Sequence, residues 1–414
     1  MLDILIRGGQ VVTPKACGVY DVGIAGEKIA AVEKDGALSI GENTRIIDAS
    51  GKIVMPGGID PHVHCSWHIP AIDGVPAQLT APPAQVSRAA LWGGTTTMID
   101  FAAWEEGETL EQTISRRDQD WQGRCHCDYA YHVMLRGGMP LELIDAIPEV
   151  IQAGYPTIKI FTTDITPSRR GRMVDFGYMW EVFQAMARSG GLGVIHAEDN
   201  DLVMHMYGRL FQEGRTGFEN MAEVHSVLSE DLSFRRVLRL AENVEGTALY
   251  MMHISAATGV AAVEESRAKN LPVYGETLHQ YLLYSQEDYR RPDGQIYHTY
   301  PSLKTEADQA SLWEATRAGT IHCIATDELC CKLSVKVQGK RIDDTTGGNS
   351  GVEPRLAVMY QEMVTARGYS LSQYVDLVSS NAAKIMGLYP RKGAIAPGSD
   401  ADITLLDPEE ARVV

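Results

Sequence analysis

Residues 157–198 read TIKIFTTDITPSRRGRMVDFGYMWEVFQAMARSGGLGVIHAE. TIKIF and LGVIHAE are short apolar runs of strand length, and MWEVFQAMARSG between them is a helical segment that stops at glycine. A strand, a crossover helix and a second strand make a parallel βαβ unit. The same alternation extends outward in both directions. The candidate strands are GGIDPHVH, TTTMIDFA, CDYAYHVML, TIKIF, LGVIHAE, ALYMMHIS, LPVYGET and IHCIATD, with helical segments such as LSFRRVLRLAENV, GVAAVEESRAKN and QASLWEATRAG between them. Eight such repeats predict an α/β fold closed into a (β/α)8 TIM barrel. The rival, a doubly wound open sheet, would show GxGxxG after its first strand, and this chain does not.

The two ends read differently. LDILIRGGQVV, DVGIAGEKIAAV and TRIIDASGKIVMP near the start, and KGAIAPGSDADITLLDP near the end, are β-rich runs broken by glycine turns. The expectation is a small β-sandwich domain built from residues 1–53 plus 388–414, with the barrel occupying 54–387.

Composition narrows the function classes. The chain has 414 residues with a net charge of −17 from 37 basic and 54 acidic side chains. This excess of negative charge argues against a nucleic-acid partner and against attraction to anionic membranes. No apolar run has the length of a membrane helix, and the start lacks a basic segment followed by a long apolar one, so the cytoplasm is the default location. Seven scattered cysteines without CxxC spacing fit reduced thiols. The short basic run Arg169, Arg170 and Arg172 is read as a solvated loop.

Polar residues gather where the candidate strands end, the place a barrel reserves for its active site. The first ends in Asp60-Pro61-His62-Val63-His64, and two histidines two apart on a strand point the same way and can share an ion. The fourth carries Lys159, the fifth ends in His196, the sixth in His253 and the eighth in Asp327. Any one of these has an ordinary explanation as a satisfied polar group. Six at matching strand ends are hard to explain except as ligands, and imidazole with carboxylate suits zinc or a similar divalent ion. Lysine needs a separate argument, since an ammonium has no lone pair and repels cations. Burial favours the neutral amine, which can take up carbon dioxide to give an anionic carbamate with one oxygen for each of two ions. Asp327 would then hold one ion and carry a proton to a leaving nitrogen, which is amide hydrolysis.

PGGIDPHVH, the lysine in TIKIF, HAED, the HIS after ALYMM, ATDE and NAAKIMGLYPRKGAIAPGSDADITLLDP resemble the cyclic amidohydrolases, nearest the dihydropyrimidinase and hydantoinase branch. The resemblance spans essentially the whole chain. It implies a (β/α)8 barrel, a β-sandwich from the termini, two zinc-like ions, a small cyclic amide substrate and a homotetramer or dimer. It assigns His62 and His64 to the first ion, His196 and His253 to the second, carbamylated Lys159 to the bridge, and Asp327 to the first ion and to acid–base work. The resembling enzymes usually run several tens of residues beyond DPEEARVV.

Departures bear on substrate. Five residues after the bridging lysine, hydantoinases usually carry a tyrosine that steadies the oxyanion. Here that position is Asp164: either another donor serves, the local alignment shifts, or the substrate brings a donor or cation. Ser66 stands where dihydroorotases have a carboxylate-binding arginine, which disfavours dihydroorotate. Tyr300 in TYPSLK matches a ring-contacting position, and Asn349 in GGNSGVEPRL is a candidate contact with a turn residue as its plain alternative. Trp67 and His68 follow the metal pair as candidate lining. Competing readings are an allantoinase-like or other amide hydrolase on the same barrel, and a non-catalytic scaffold like the neuronal proteins that resemble dihydropyrimidinase.

Overall fold

The computed structural model describes residues 2–71 and 76–411. Eight parallel strands form one sheet in sequential order: Gly58–Asp60, Thr95–Ala103, Asp128–Met134, Thr157–Phe161, Leu192–His196, Ala248–Met251, Val273–Leu278 and Ile321–Ala325. All eight expected strands are present, and TIKIF has the expected bounds. Register sets the site. Lys159 lies beside Met134 and Val194, and Phe161 beside His196, so polar positions on neighbouring strands come level at one end.

The first strand stops earlier than GGIDPHVH suggests. Pro61 has no N–H for a ladder, and the Asp60 carboxylate accepts the His62 N–H at 3.3 Å, turning the chain. His62 and His64 therefore sit just past a strand end, as do His253 and Asp327.

The seam between the first and eighth strands is tied by side chains. Fully buried Arg355 donates to the carbonyls of Ile59 and Ile324, each at 2.9 Å, and to Thr95 Oγ1 at 3.1 Å. A buried guanidinium needs such acceptors. Asp60 accepts from Thr326 Oγ1 at 2.6 Å, and beyond the strands the His64 N–H meets the Glu328 carbonyl at 2.7 Å. These ties bring the histidine pair alongside Asp327.

Helices pack outside the barrel. Phe176–Ser189 begins at Asp175, whose carboxylate accepts from the Gly177 and Tyr178 N–H groups, and ends at Gly190 with φ +72°, a left-handed cap suited to glycine. No helix among the described residues is long and apolar enough to cross a membrane.

The two ends of the chain meet in a separate mixed sheet of seven strands. Ile53–Pro56 pairs in parallel with Gln10–Val12 and antiparallel with Ile403–Leu406, while the long strand Cys17–Ala25 joins Gln10–Val12 to Ile4–Arg7 and Lys28–Lys34. Ile6, Val11, Val22, Ile24, Ile29, Val54 and Ile395 give it a core of its own. Lys392, only 5% exposed, ties the returning chain to the barrel by pairing with Asp402 at 2.5 Å, with Asp400 and with Asp128 at the start of the third barrel strand.

Candidate metal centre

His62 Nε2 and His64 Nε2 lie 3.1 and 3.0 Å from the same atom, Asp327 Oδ1. The three residues offer ligand atoms that all fall within 4.8 Å of one another. His62 has its other nitrogen engaged, with Nδ1 2.9 Å from Glu276 Oε1. That contact fixes the ring so that Nε2 faces Asp327, and a carboxylate behind a histidine makes it a better ligand. Thr299 Oγ1 donates to the second oxygen of Asp327. His253 and Asp327 have φ of +38° and +53°, a region non-glycine residues rarely occupy and one that concentrates at functional sites.

The second group of residues adjoins the first. The His196 and His253 rings have centroids 4.4 Å apart, and His253 lies 5.5 Å from His62. His196 Nε2 is 2.8 Å from Glu198 Oε2, which leaves its Nδ1 for the site. Glu198 is in turn 2.8 Å from His225 Nδ1, and His225 Nε2 is 3.1 Å from the Tyr207 hydroxyl. His253 donates its backbone N–H to Glu276 at 3.1 Å, and its Nδ1 is buried with no hydrogen-bond partner among the described residues.

Lys159 is 1% exposed and reaches no carboxylate among the described residues; its Nζ lies 2.8 Å from the Met252 sulfur and 4.5 Å from the Phe161 ring centroid. Burial pushes its amine down to about 7 against the pull of Glu276 and Asp327. Burial alone would lower His62, but Asp327 and Glu276 more than reverse this and hold it at about 9. Asp327 resists the upward push of burial and stays well below the carboxylate range, because His62 and His64 face it. Burial lowers His196 to about 4, and it takes His253 well below the usual imidazole value. The neutral imidazoles of His196 and His253, the ionised Asp327 and an amine that loses its proton near neutrality are donor states a divalent cation requires, while at His62 a cation must displace a proton. The residues present thus fit metal binding, with the orphaned His253 nitrogen as the clearest sign.

These six side chains line one cavity. Tyr300 also lines it, with its hydroxyl donating to the Thr345 carbonyl at 3.3 Å. Trp67 and His68 stand at the same cavity. Asp164 and Asn349 are not among its lining residues. Asp164 Oδ1 accepts the backbone N–H groups of Arg172 and Met173 at 2.9 and 3.0 Å. Asn349 donates to the Thr326 carbonyl at 2.7 Å, bracing the end of the eighth strand.

Several residues escaped sequence reasoning. Glu276 sits inside LPVYGET, and a carboxylate in an otherwise apolar run is the same signal that singled out Lys159. Glu198 stands two residues after His196, a spacing legible once His196 is suspected. His225 carries no local signal. The basic run read as a solvated loop instead places Arg169 and Arg172 in the cavity wall.

The family model for the amidohydrolase family matches residues 53–413. The chain belongs to the amidohydrolase family. This amidohydrolase is 32% identical to a D-hydantoinase of Rhizobium radiobacter across 100% of its own length and 88% of that protein. It is 30% identical to an allantoinase of Escherichia coli over 100% of this chain and 87% of that one. The crystal structure of dihydropyrimidinase from Brevibacillus agri superposes with a TM-score of 0.91 at 30% identity, covering 99% of this chain and 87% of that one.

Proposed function

We propose that this amidohydrolase opens the amide C–N bond of a small cyclic amide, a hydantoin, dihydropyrimidine or related ring such as allantoin. Two divalent ions, zinc or similar, would be held by His62, His64 and Asp327 on one side and by His196 and His253 on the other, with carbamylated Lys159 between them. The convergence of His62, His64 and Asp327 beside a buried lysine that pairs with no carboxylate among the described residues carries this reading. The relatives' activities support the ring class.

Bound divalent ions supply Lewis-acid polarisation of a carbonyl and an acidified water. The chain's own residues do the rest. Lys159, as a neutral amine, forms a bond to the carbon of carbon dioxide and loses a proton, giving an N-carboxylate with two oxygens. Glu276 and Glu198 hold His62 and His196 in the tautomers that turn a lone pair inward. Asp327, steadied by Thr299, accepts the proton of the attacking water and returns it to the departing ring nitrogen. Asp164 keeps the loop after the fourth strand in place by binding its backbone and is separate from the chemistry.

The test is a panel of hydantoin, dihydrouracil and allantoin given to the zinc-loaded protein, with Asp327→Asn beside wild type. Ring opening by wild type and a loss of about 10²–10⁴-fold in the variant, with unchanged melting, is expected. A protein that binds no metal and opens none of the rings is a scaffold, and the proposal fails.

A further inference from the structure

The cavity wall also carries positive charge, from Arg169 and Arg172, that the mechanism above does not use. Arg172 places its guanidinium carbon 5.7 Å from the Phe161 ring centroid, the same ring that Lys159 approaches from 4.5 Å. Arg169 stands 5.4 Å from the Tyr300 ring centroid. An adjoining cleft is lined by Arg136 and Arg170 together with these two.

What sets the group apart is its lack of counter-ions. Buried Arg117 and Arg355, by comparison, are anchored: Arg117 pairs with Asp100 and Asp120, and Arg355 binds two carbonyls. Among the described residues, Arg136, Arg169 and Arg172, all partly buried, have no carboxylate within ion-pair distance. Asp164, the acidic residue of the same loop, turns its Oδ1 to backbone N–H groups. Burial and then the like charges of Arg169 and Arg136 push the Arg172 guanidinium down to about 9. An arginine keeps its proton, so this repulsion persists until an anion enters.

The loop is built to hold the arginines there. It returns to its own strand through the Phe161–Met173 bridge and the Val174 N–H to Phe161 carbonyl bond at 2.9 Å. A second tie runs from the Gly137 N–H to the Gly171 carbonyl at 3.1 Å. A chain of net charge −17 that gathers unpaired guanidinium groups at one cavity focuses anions there.

We propose that Arg169 and Arg172 form an anion subsite beside the metal-ligand cluster, and that the preferred substrate is a cyclic amide bearing a carboxylate substituent. This rests on the ring-opening reading above and sharpens its substrate class. The planar guanidinium fork matches a carboxylate in two parallel hydrogen bonds, which a lysine at the same place would not reproduce.

The experiment compares 5-(carboxymethyl)hydantoin with its neutral counterpart 5-(carbamoylmethyl)hydantoin on the zinc-loaded enzyme, with wild type, Arg169→Met, Arg172→Met and Arg172→Lys. Metal content and melting temperature verify that each variant folds. Wild type should favour the carboxylate by at least about tenfold in kcat/KM, mostly through KM, and the preference should weaken with added salt. Each methionine variant should lose most of that ratio, and Arg172→Lys should keep only part of it. If wild type opens the neutral ring as well as the charged one, the anion subsite is refuted while ring opening stands. A preference that survives both methionine variants removes these arginines from the assignment. If neither these rings nor the hydantoin, dihydrouracil and allantoin panel is opened, the underlying reading falls as well.

Discussion

Glu276→Gln should weaken the first metal site without unfolding the barrel. Glu276 Oε1 receives His62 Nδ1 at 2.9 Å and the His253 N–H at 3.1 Å, and Oε2 receives the Tyr250 hydroxyl at 2.9 Å. A glutamine keeps the shape and one acceptor oxygen but loses the negative charge, so His62 becomes a poorer donor. If the amide nitrogen turns toward His62 instead, the ring takes the other tautomer and points an N–H at Asp327. Outer-shell changes of this kind cost about 10–100-fold in metal affinity, equivalent to ~1.4–2.7 kcal/mol. Proton competition refines the expectation. Asp327 and Glu276 hold His62 at about 9 in the metal-free protein, so wild-type affinity should rise with pH until about 9. The variant's His62 loses its proton more easily, which offsets part of the loss near neutrality. The deficit should therefore grow from pH 7 to pH 9. Titration of chelator-stripped protein with zinc against a competing indicator, at both pH values, measures it. Affinity within twofold of wild type at both, alongside a fall in melting temperature, would show that Glu276 only packs the core.

Two further outcomes follow from the same geometry. Lys159, lowered to about 7 by burial, should take up labelled carbon dioxide with a midpoint near that pH, since its neutral fraction rises as pH passes through it. An exposed lysine would be neutral in only about one molecule in 2,500 at pH 7. Uptake is followed by carbon-13 NMR, with Lys159→Arg as the blank; a midpoint above 9 would contradict the burial argument. Lys392→Met leaves Asp128, Asp400 and Asp402 facing one another where the returning chain meets the barrel. The expected loss is about 1–3 kcal/mol in urea unfolding, kept modest because Asp128 is 59% exposed, and an unchanged midpoint would count against it.

The barrel was legible because each repeat announces itself locally. TIKIF is bounded by turn residues, and the helices that follow end at glycines such as Gly190 and Gly319, both with positive φ. The metal-site candidates were legible because histidine, lysine and aspartate are conspicuous at the ends of apolar runs. Their supports were not. Glu276 reaches His62 across 214 positions of sequence and His225 reaches Glu198 across 27, and nothing local reports such partners. The arginine loop was misjudged for a related reason. Three basic residues on a turn look solvated until the Asp164 carboxylate is seen folding that turn back over the cavity. Asp164 itself drew attention through its chemistry, yet the backbone N–H groups it binds are invisible in a sequence.

The most direct test is native mass spectrometry of the chain prepared without chelator and in bicarbonate, read for metal and for carbon dioxide together. Two zinc ions and one carbon dioxide per chain are predicted, with the carbon dioxide absent from Lys159→Arg and the zinc reduced in His62→Ala. A chain carrying no metal, or a full metal load with an unmodified Lys159, would contradict the account.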